Sequence, residues 1–185
     1  VYGSDIPIAC VGVISKVNMV FMAICIGISQ GSQPIWGFNY GAKKYDRVRQ
    51  AYRYSVTACT VIAAIFFFCF QIFPHQIVGI FGTGSDLYFQ FAERYLKIFM
   101  FMTFVNGIQP VSSSFFTSIG MAKLGIVMSL TRQVIFLLPL IIIFPLFMGI
   151  DGVMYAGPIA DAAAFALAIV FARRELGKMR SAEIV

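Results

Sequence analysis

The chain has 185 residues and a net charge of +6, yet only 12% of its residues are charged and 59% are hydrophobic, with a mean hydropathy of +0.85. Soluble domains run to about 25% charged residues, so the composition excludes an ordinary soluble fold and points to membrane embedding. The positive balance does not mark a nucleic-acid binder: most of it (Lys43, Lys44, Arg47, Arg49, Arg53, Lys123, Arg173, Arg174, Lys178, Arg180) falls in stretches between or beyond apolar segments, as in loops on the cytoplasmic side of a membrane, and no base-stacking platform accompanies it.

The first predicted span covers about 6–36. From Val17 to Ala42 it lacks Asp, Glu, Lys and Arg, enough residues for a helix to cross a hydrocarbon core roughly 30 Å thick. It exceeds that need, so it is expected to tilt or to break near Gly31 to Pro34. Lys43 to Arg53 then mark a cytoplasmic loop. A second span, about 54–73, contains Phe66, Phe67 and Phe68 and no charge. Pro74 and His75 lead into a loop whose turn residues are Gly82, Thr83, Gly84 and Ser85.

The third predicted span is about 96–122, followed by a short loop at Lys123 and Gly125. The fourth covers about 133–148, with a turn at Gly149 to Gly152, and the fifth about 153–172, ending in Arg173 and Arg174. The expected fold class is all-α, a polytopic membrane bundle of about five transmembrane helices, with the loops after spans one and three and the C-terminus on the cytoplasmic side. An odd number of spans puts the two ends on opposite sides, and the chain starts at Val1 with no signal-peptide pattern; the expectation is a part of a longer protein.

Several residues carry candidate chemistry. Lys16 lies well inside the first span, where an ammonium facing lipid costs at least about 2.5 kcal/mol, so it faces a cavity or a partner, or snorkels outward. Ser15, Asn18, Met22 and Ser29 follow it at helical spacing. In the third span Thr103, Asn106, Gln109 or Pro110, Ser113 and Thr117 form a polar stripe, suited either to lining a substrate cavity or to interhelical hydrogen bonds worth about 0.6–2 kcal/mol each. Pro110 is expected to free a carbonyl and permit bending.

In the fifth span Gly152, Ala156, Ala160, Ala164, Ala168 and Ala172 recur at every fourth position, a packing seam. Asp161 lies one residue off that seam, as a proton or cation relay or as a structural anchor held by neighbouring hydroxyls. The lone histidine, His75, is either a pH sensor or a solvated loop residue. Cys10, Cys25, Cys59 and Cys69 lie in apolar stretches without CxxC spacing, so neither a metal site nor a disulfide framework is indicated. No HExxH, GxSxG or phosphate-cradling loop occurs, which makes an embedded enzyme the weakest reading.

The run containing Gly27, Gln33, Pro34, Gly37, Asn39, Tyr40, Gly41 and Ala42 before a basic stretch resembles the second helix and following loop of a lobe in the MATE (multidrug and toxic compound extrusion) transporters. The resemblance continues through Gln109-Pro110, Arg132-Gln133 ahead of Pro139, Gly152-Val153 and Pro158-Ile159-Ala160-Asp161. It identifies Gln33, Pro34, Gly37, Asn39 and Gly41 as a family motif with a structural role, glycines for close packing and Asn39 as a cap.

The resemblance implies helices eight to twelve of a twelve-helix, two-lobe antiporter of the bacterial cytoplasmic membrane. Its partners would be the lipid bilayer, the N-terminal lobe of the same protein and small amphipathic organic cations. It would use no cofactor beyond a coupling proton or sodium ion. Substrate-cavity candidates are Lys16, Asn18, Met22, Asn106, Gln109 and Ser113, and the ion-coupling candidate is Asp161. The third span lacks the acidic residue that some sodium-coupled members carry there, so the chain resembles instead the DNA-damage-inducible and staphylococcal multidrug branch, with coupling acids expected in the first lobe; the isolated chain is then expected to be inactive. The alternatives are a lipid-linked oligosaccharide flippase, disfavoured because holding pyrophosphate should need more cavity-facing cations than Lys16 alone, and a non-transporting membrane subunit.

Overall fold

The computed structural model describes residues 5–81 and 84–182, and among these all regular structure is helical. In chain order it comprises α1 (Asp5–Gly41), α2 (Tyr45–Ile72), α3 (Pro74–Phe81), α4 (Asp86–Phe99), α5 (Thr103–Asn106), α6 (Ile108–Ser118), α7 (Ala122–Leu130), a π-helical segment (Thr131–Leu137), α8 (Leu138–Met148) and α9 (Ile150–Ala182). Among the described residues four stretches are long and apolar enough to cross a membrane: Ala9–Gly41, Tyr45–Ile72, Ala122–Phe147 and Tyr155–Ser181. The chain is thus an all-α polytopic bundle. Its outer surface suits lipid, since Met19, Phe38, Ile80, Leu146 and Phe147 stand well exposed.

Several boundaries differ from expectation, each for a physical reason. Pro34 does not break α1, which runs on to Gly41; its side chain faces outward. The basic stretch after Tyr45 belongs to α2 rather than to a loop. The expected third span is not one helix but α4, α5 and α6 in series, interrupted at Met100–Met102 and at Gly107. Pro110 supplies no N–H for the carbonyl of Asn106, and the helix breaks just there.

Lys123 and Gly125, expected in a loop, lie inside α7. The expected fourth span therefore starts earlier, at Ala122, and passes through the π segment. The i−5 bond from the Leu138 amide to the Gln133 carbonyl closes that segment directly before Pro139, whose ring would collide with the carbonyl four residues back in an α-helix. Of the expected turn at 82–85, Gly82 and Thr83 lie outside the described residues. Ser85 caps α4, its hydroxyl accepting from the Tyr88 amide at 3.4 Å.

Two cores hold the passes together. Near the start of α1, Cys10, Ile14 and Val17 meet Phe70 of α2, Val78 of α3 and Tyr88, Phe91, Tyr95 and Leu96 of α4. Toward its end, Trp36 packs on Phe115 (5.6 Å, edge-on) and Tyr52 (6.2 Å), with Phe21, Val111 and Phe116 in the same cluster. The segmented run therefore lies alongside α1 and in the same direction. Gly37 allows the closest approach, because a Cβ there would stand 3.2 Å from the Ser118 carbonyl oxygen. The expected seam of α9 is buried at Gly152, Ala156, Ala160, Ala164, Ala168 and Ala172. Lys43 to Arg53, Lys123 and Arg173 to Arg180 all collect at the end where α1 finishes and α6 meets α7.

Gly125 is the tightest of these contacts across α6 and α7, since a Cβ there would meet Thr117 Oγ1 and stand 2.8 Å from the Ser113 carbonyl oxygen. Overpacking of this kind costs about 1–3 kcal/mol. Gly125→Ala is expected to lower the thermal midpoint of the purified protein, whereas Gly41→Ala, where nothing lies within 4 Å, is expected to leave it unchanged; equal midpoints for the two variants would contradict the described packing.

Candidate functional site

The break at Gly107 presents Asn106 and Gln109 to two neighbours. Asn106 Nδ2 donates to Asp161 Oδ2 at 3.2 Å, and Arg132 Nε donates to Asp161 Oδ1 at 2.6 Å. The Arg132 and Asp161 side chains are only 9% and 4% exposed. A buried, unpaired charge is far costlier than a paired one, so the π segment and α9 are held together wherever both ions are present. Asn106 Oδ1 is buried without a partner.

One turn further on, Gln109 Nε2 donates to the Met128 carbonyl at 3.0 Å and Ser113 Oγ to the Gly125 carbonyl at 2.8 Å. Thr117 turns back to the Ser113 carbonyl at 3.0 Å, and Thr103 to Met100 Sδ at 3.5 Å. Through Asn106, Gln109 and Ser113 the stripe expected in the third span therefore stitches the segmented run to α7 and α9. The same side chains also border a void: a cavity of about 260 Å³ is lined by Met22 and Ile26 of α1, by Gln109, Pro110, Ser113 and Ser114 of α6, and by Ser129, Arg132 and Gln133. Three of the expected cavity residues, Met22, Gln109 and Ser113, thus come together, with Asn106 just behind them through Asp161 and Arg132.

The other two are placed differently. Lys16 is exposed on α1 and Asn18 half-buried, and neither lines this cavity. Ser29, on the polar face expected beside Lys16, turns inward and donates to the Cys25 carbonyl at 2.7 Å. Asp161 does have close neighbours, but they are a guanidinium and an amide rather than hydroxyls. In the family motif, Gln33 and Gly37 are half-buried and Pro34 exposed. Asn39 bonds back within its own helix instead of capping a terminus, consistent with α1 continuing through it. His75 Nδ1 meets Glu93 Oε1 at 2.6 Å and its ring lies 4.8 Å from Phe89. Among the described residues no group of three or more His, Cys, Asp or Glu side chains is arranged to hold a metal.

Sequence reasoning missed the role of Arg132. Its position beside a strongly apolar run, with Asp151 and Asp161 the two carboxylates between it and Arg173, is the available signal; pairing Arg132 with Asp161 requires knowing that the π segment faces α9.

The MatE family model matches residues 1–149. The chain belongs to the MatE family. The multidrug export protein MepA of Staphylococcus aureus is 23% identical over 186 residues, covering 100% of this chain and 40% of MepA; the chain thus spans well under half the length of that relative. The fold is similar to that of a MATE family multidrug resistance transporter of the MOP superfamily in an outward-facing conformation, with a TM-score of 0.89 at 16% identity over 97% of this chain and 40% of that one. It is also similar to an inward-facing transporter of that kind, with a TM-score of 0.81 at 14% identity over 91% and 39%.

Removing one member of a buried ion pair costs about 3–5 kcal/mol because the other is left uncompensated. Arg132→Gln and Asp161→Asn are each expected to lower the thermal midpoint of this MatE protein strongly, and the double variant to lose less than the sum of the two. Additive losses in that double-mutant cycle would show that the two side chains do not act as a pair.

Proposed function

We propose that this chain forms the C-terminal lobe, helices eight to twelve, of a twelve-helix multidrug efflux antiporter in the bacterial cytoplasmic membrane, and that the cavity between α1, α6 and the π segment is part of its substrate path. The observation that carries the reading is that cavity: a polar-walled void inside a MatE bundle, built where a broken helix and a π segment face each other. Helical irregularities of this kind collect at functional sites in membrane proteins, because non-helical backbone is tolerated only against protein or a wet cavity.

Met22 and Ile26 offer a soft apolar wall to an amphipathic ligand, while Gln109, Ser113 and Ser114 supply polar groups. A cationic substrate would be repelled by a lone guanidinium beside it. Asp161 offsets Arg132 at 2.6 Å, so the pair leaves the wall close to neutral. This assigns Asp161 to holding Arg132 rather than to carrying the coupling ion, and leaves the proton or sodium acids to the N-terminal lobe. Lys16 and Asn18, on the outward part of α1, would then face that lobe.

The basic ends, Lys43 to Arg53 and Arg173 to Arg180, would lie in the cytoplasm, as the positive-inside bias predicts. Alternating access is supported as a motion of the whole lobe, since the same arrangement of helices is similar to both an outward-facing and an inward-facing transporter.

The test is efflux of a fluorescent lipophilic cation from proteoliposomes under separate proton and sodium gradients. The full-length protein containing this chain is expected to export the dye, Gln109→Ala and Ser113→Ala to reduce export several-fold, and the 185 residues alone to export none. Absence of gradient-driven efflux from well-folded full-length protein would overturn the transporter reading, and efflux by the isolated chain would overturn its assignment to half of the machinery.

A further inference from the structure

At the basic end of the bundle a groove of about 870 Å³ opens between α2 and α9. One wall is a single face of α2 made by Asp46, Arg49, Gln50, Arg53 and Tyr54, and the other a single face of α9 made by Arg173, Leu176, Gly177 and Arg180. The basic residues at this end include Lys43, Lys44, Lys123 and Lys178, but every cation among the residues lining the groove is an arginine, the side chain whose planar fork matches phosphate oxygens two at a time. Elsewhere on α9 two charges are answered within the chain: Lys178 meets Glu175 at 2.9 Å, and Asp161 meets Arg132 at 2.6 Å. In the groove the one carboxylate is Asp46, engaged by Arg49, and Arg53, Arg173 and Arg180 have no described carboxylate in ion-pairing reach.

A positive-inside bias accounts for basic residues at this end but not for their convergence on one hollow from positions more than a hundred residues apart. The α9 wall is left open at Gly177, since a Cβ there would meet nothing within 4 Å. Leu176 and Tyr54 add apolar surface beside the guanidinium groups, and Gln50 Nε2 donates to the Tyr54 hydroxyl at 2.9 Å, which steadies an aromatic side chain of the kind found at headgroup level. The groove lies at the ends of the two apolar stretches Tyr45–Ile72 and Tyr155–Ser181, where headgroups of a surrounding bilayer would be.

We propose that the groove between the start of α2 and the end of α9 binds the phosphate of an anionic phospholipid headgroup. The site rests on membrane embedding of the chain and not on transport, so it stands or falls independently of the efflux experiment.

The test uses full-length protein containing this chain in nanodiscs of phosphatidylcholine with a minor fraction of phosphatidylglycerol, with bound lipid counted by native mass spectrometry. Phosphatidylglycerol is expected to be retained in preference to phosphatidylcholine. Arg53→Gln and Arg173→Gln are each expected to lower that retention about five-fold, the effect of roughly one surface cation. Gly177→Leu, which puts a bulky side chain into the groove from the α9 wall and leaves the charge unchanged, is expected to lower it as well. Arg174→Gln, an exposed neighbour outside the groove, is expected to change it less than about two-fold.

Equal losses in Arg173→Gln and Arg174→Gln, or full retention in Gly177→Leu, would mean a diffuse positive field without a site and would overturn the proposal. Displacement of phosphatidylglycerol by excess inorganic phosphate would identify a soluble anion as the occupant and would overturn the lipid assignment. Arg173→Gln alters only an exposed side chain, so its result holds even where Gly177→Leu reduces the yield of folded protein.

Discussion

A polar group inside a bilayer finds no water, so each one must be satisfied by the chain itself or by a wet cavity. The internal architecture follows from that constraint. Tyr52 and Ser112 share a hydrogen bond at 2.8 Å, as do Ser32 and Ser55, and these tie α2 to α6 and to α1. Gln109 and Ser113 reach carbonyls of α7, and Asp161 collects both Asn106 and Arg132. Between apolar surfaces that lipid would solvate almost equally well, such bonds decide which helix faces which. Each is modest, about 0.6–2 kcal/mol, but together they tie the segmented run to α2, α7 and α9.

That run is where regular structure is given up. α4, α5 and α6 together follow the direction of α1, which stays helical from Asp5 to Gly41, so a continuous rod and a twice-interrupted one lie side by side. The interruption near Pro110 frees backbone from the helical ladder, and the π segment opposite it widens the facing helix. The cavity occupies the space between them. A polar wall, a soft side chain in Met22 and an offset charge in Arg132 are thus consequences of two irregularities placed opposite one another, rather than of any single residue.

Much of this was legible in the sequence. The apolar stretches, the basic end, the alanine seam and the polar stripe all rest on periodicities that survive folding, because a residue's face on a helix depends on spacing alone. The helix ends were less legible. Lys123 and Gly125 read as a loop because charge and glycine usually punctuate helices, yet Gly125 serves close contact with α6 and Lys123 simply sits at a helix start near the membrane edge. Gly31 to Pro34 reads as a place of tilt or break, yet Pro34 lies on an outward face of a helix that runs on through it. The break at Gly107 and the π segment depend on how a proline's missing donor is resolved, which is settled by neighbours. The partnership of Arg132 with Asp161 was out of reach because it joins residues 29 positions apart through an interface that only the fold defines.

The alanine seam of α9 has one more consequence. Side chains of nearly one size at every fourth position give a helix almost the same profile after a slip of one turn, about 5.4 Å, so close packing along the seam sets a distance between helices but only weakly sets their vertical alignment. Asp161, one residue off the seam and bonded on both carboxylate oxygens, breaks that translational degeneracy: in any slipped alignment Arg132 and Asn106 would face an apolar side chain. The small residues make the interface close, and a single carboxylate makes its register unique.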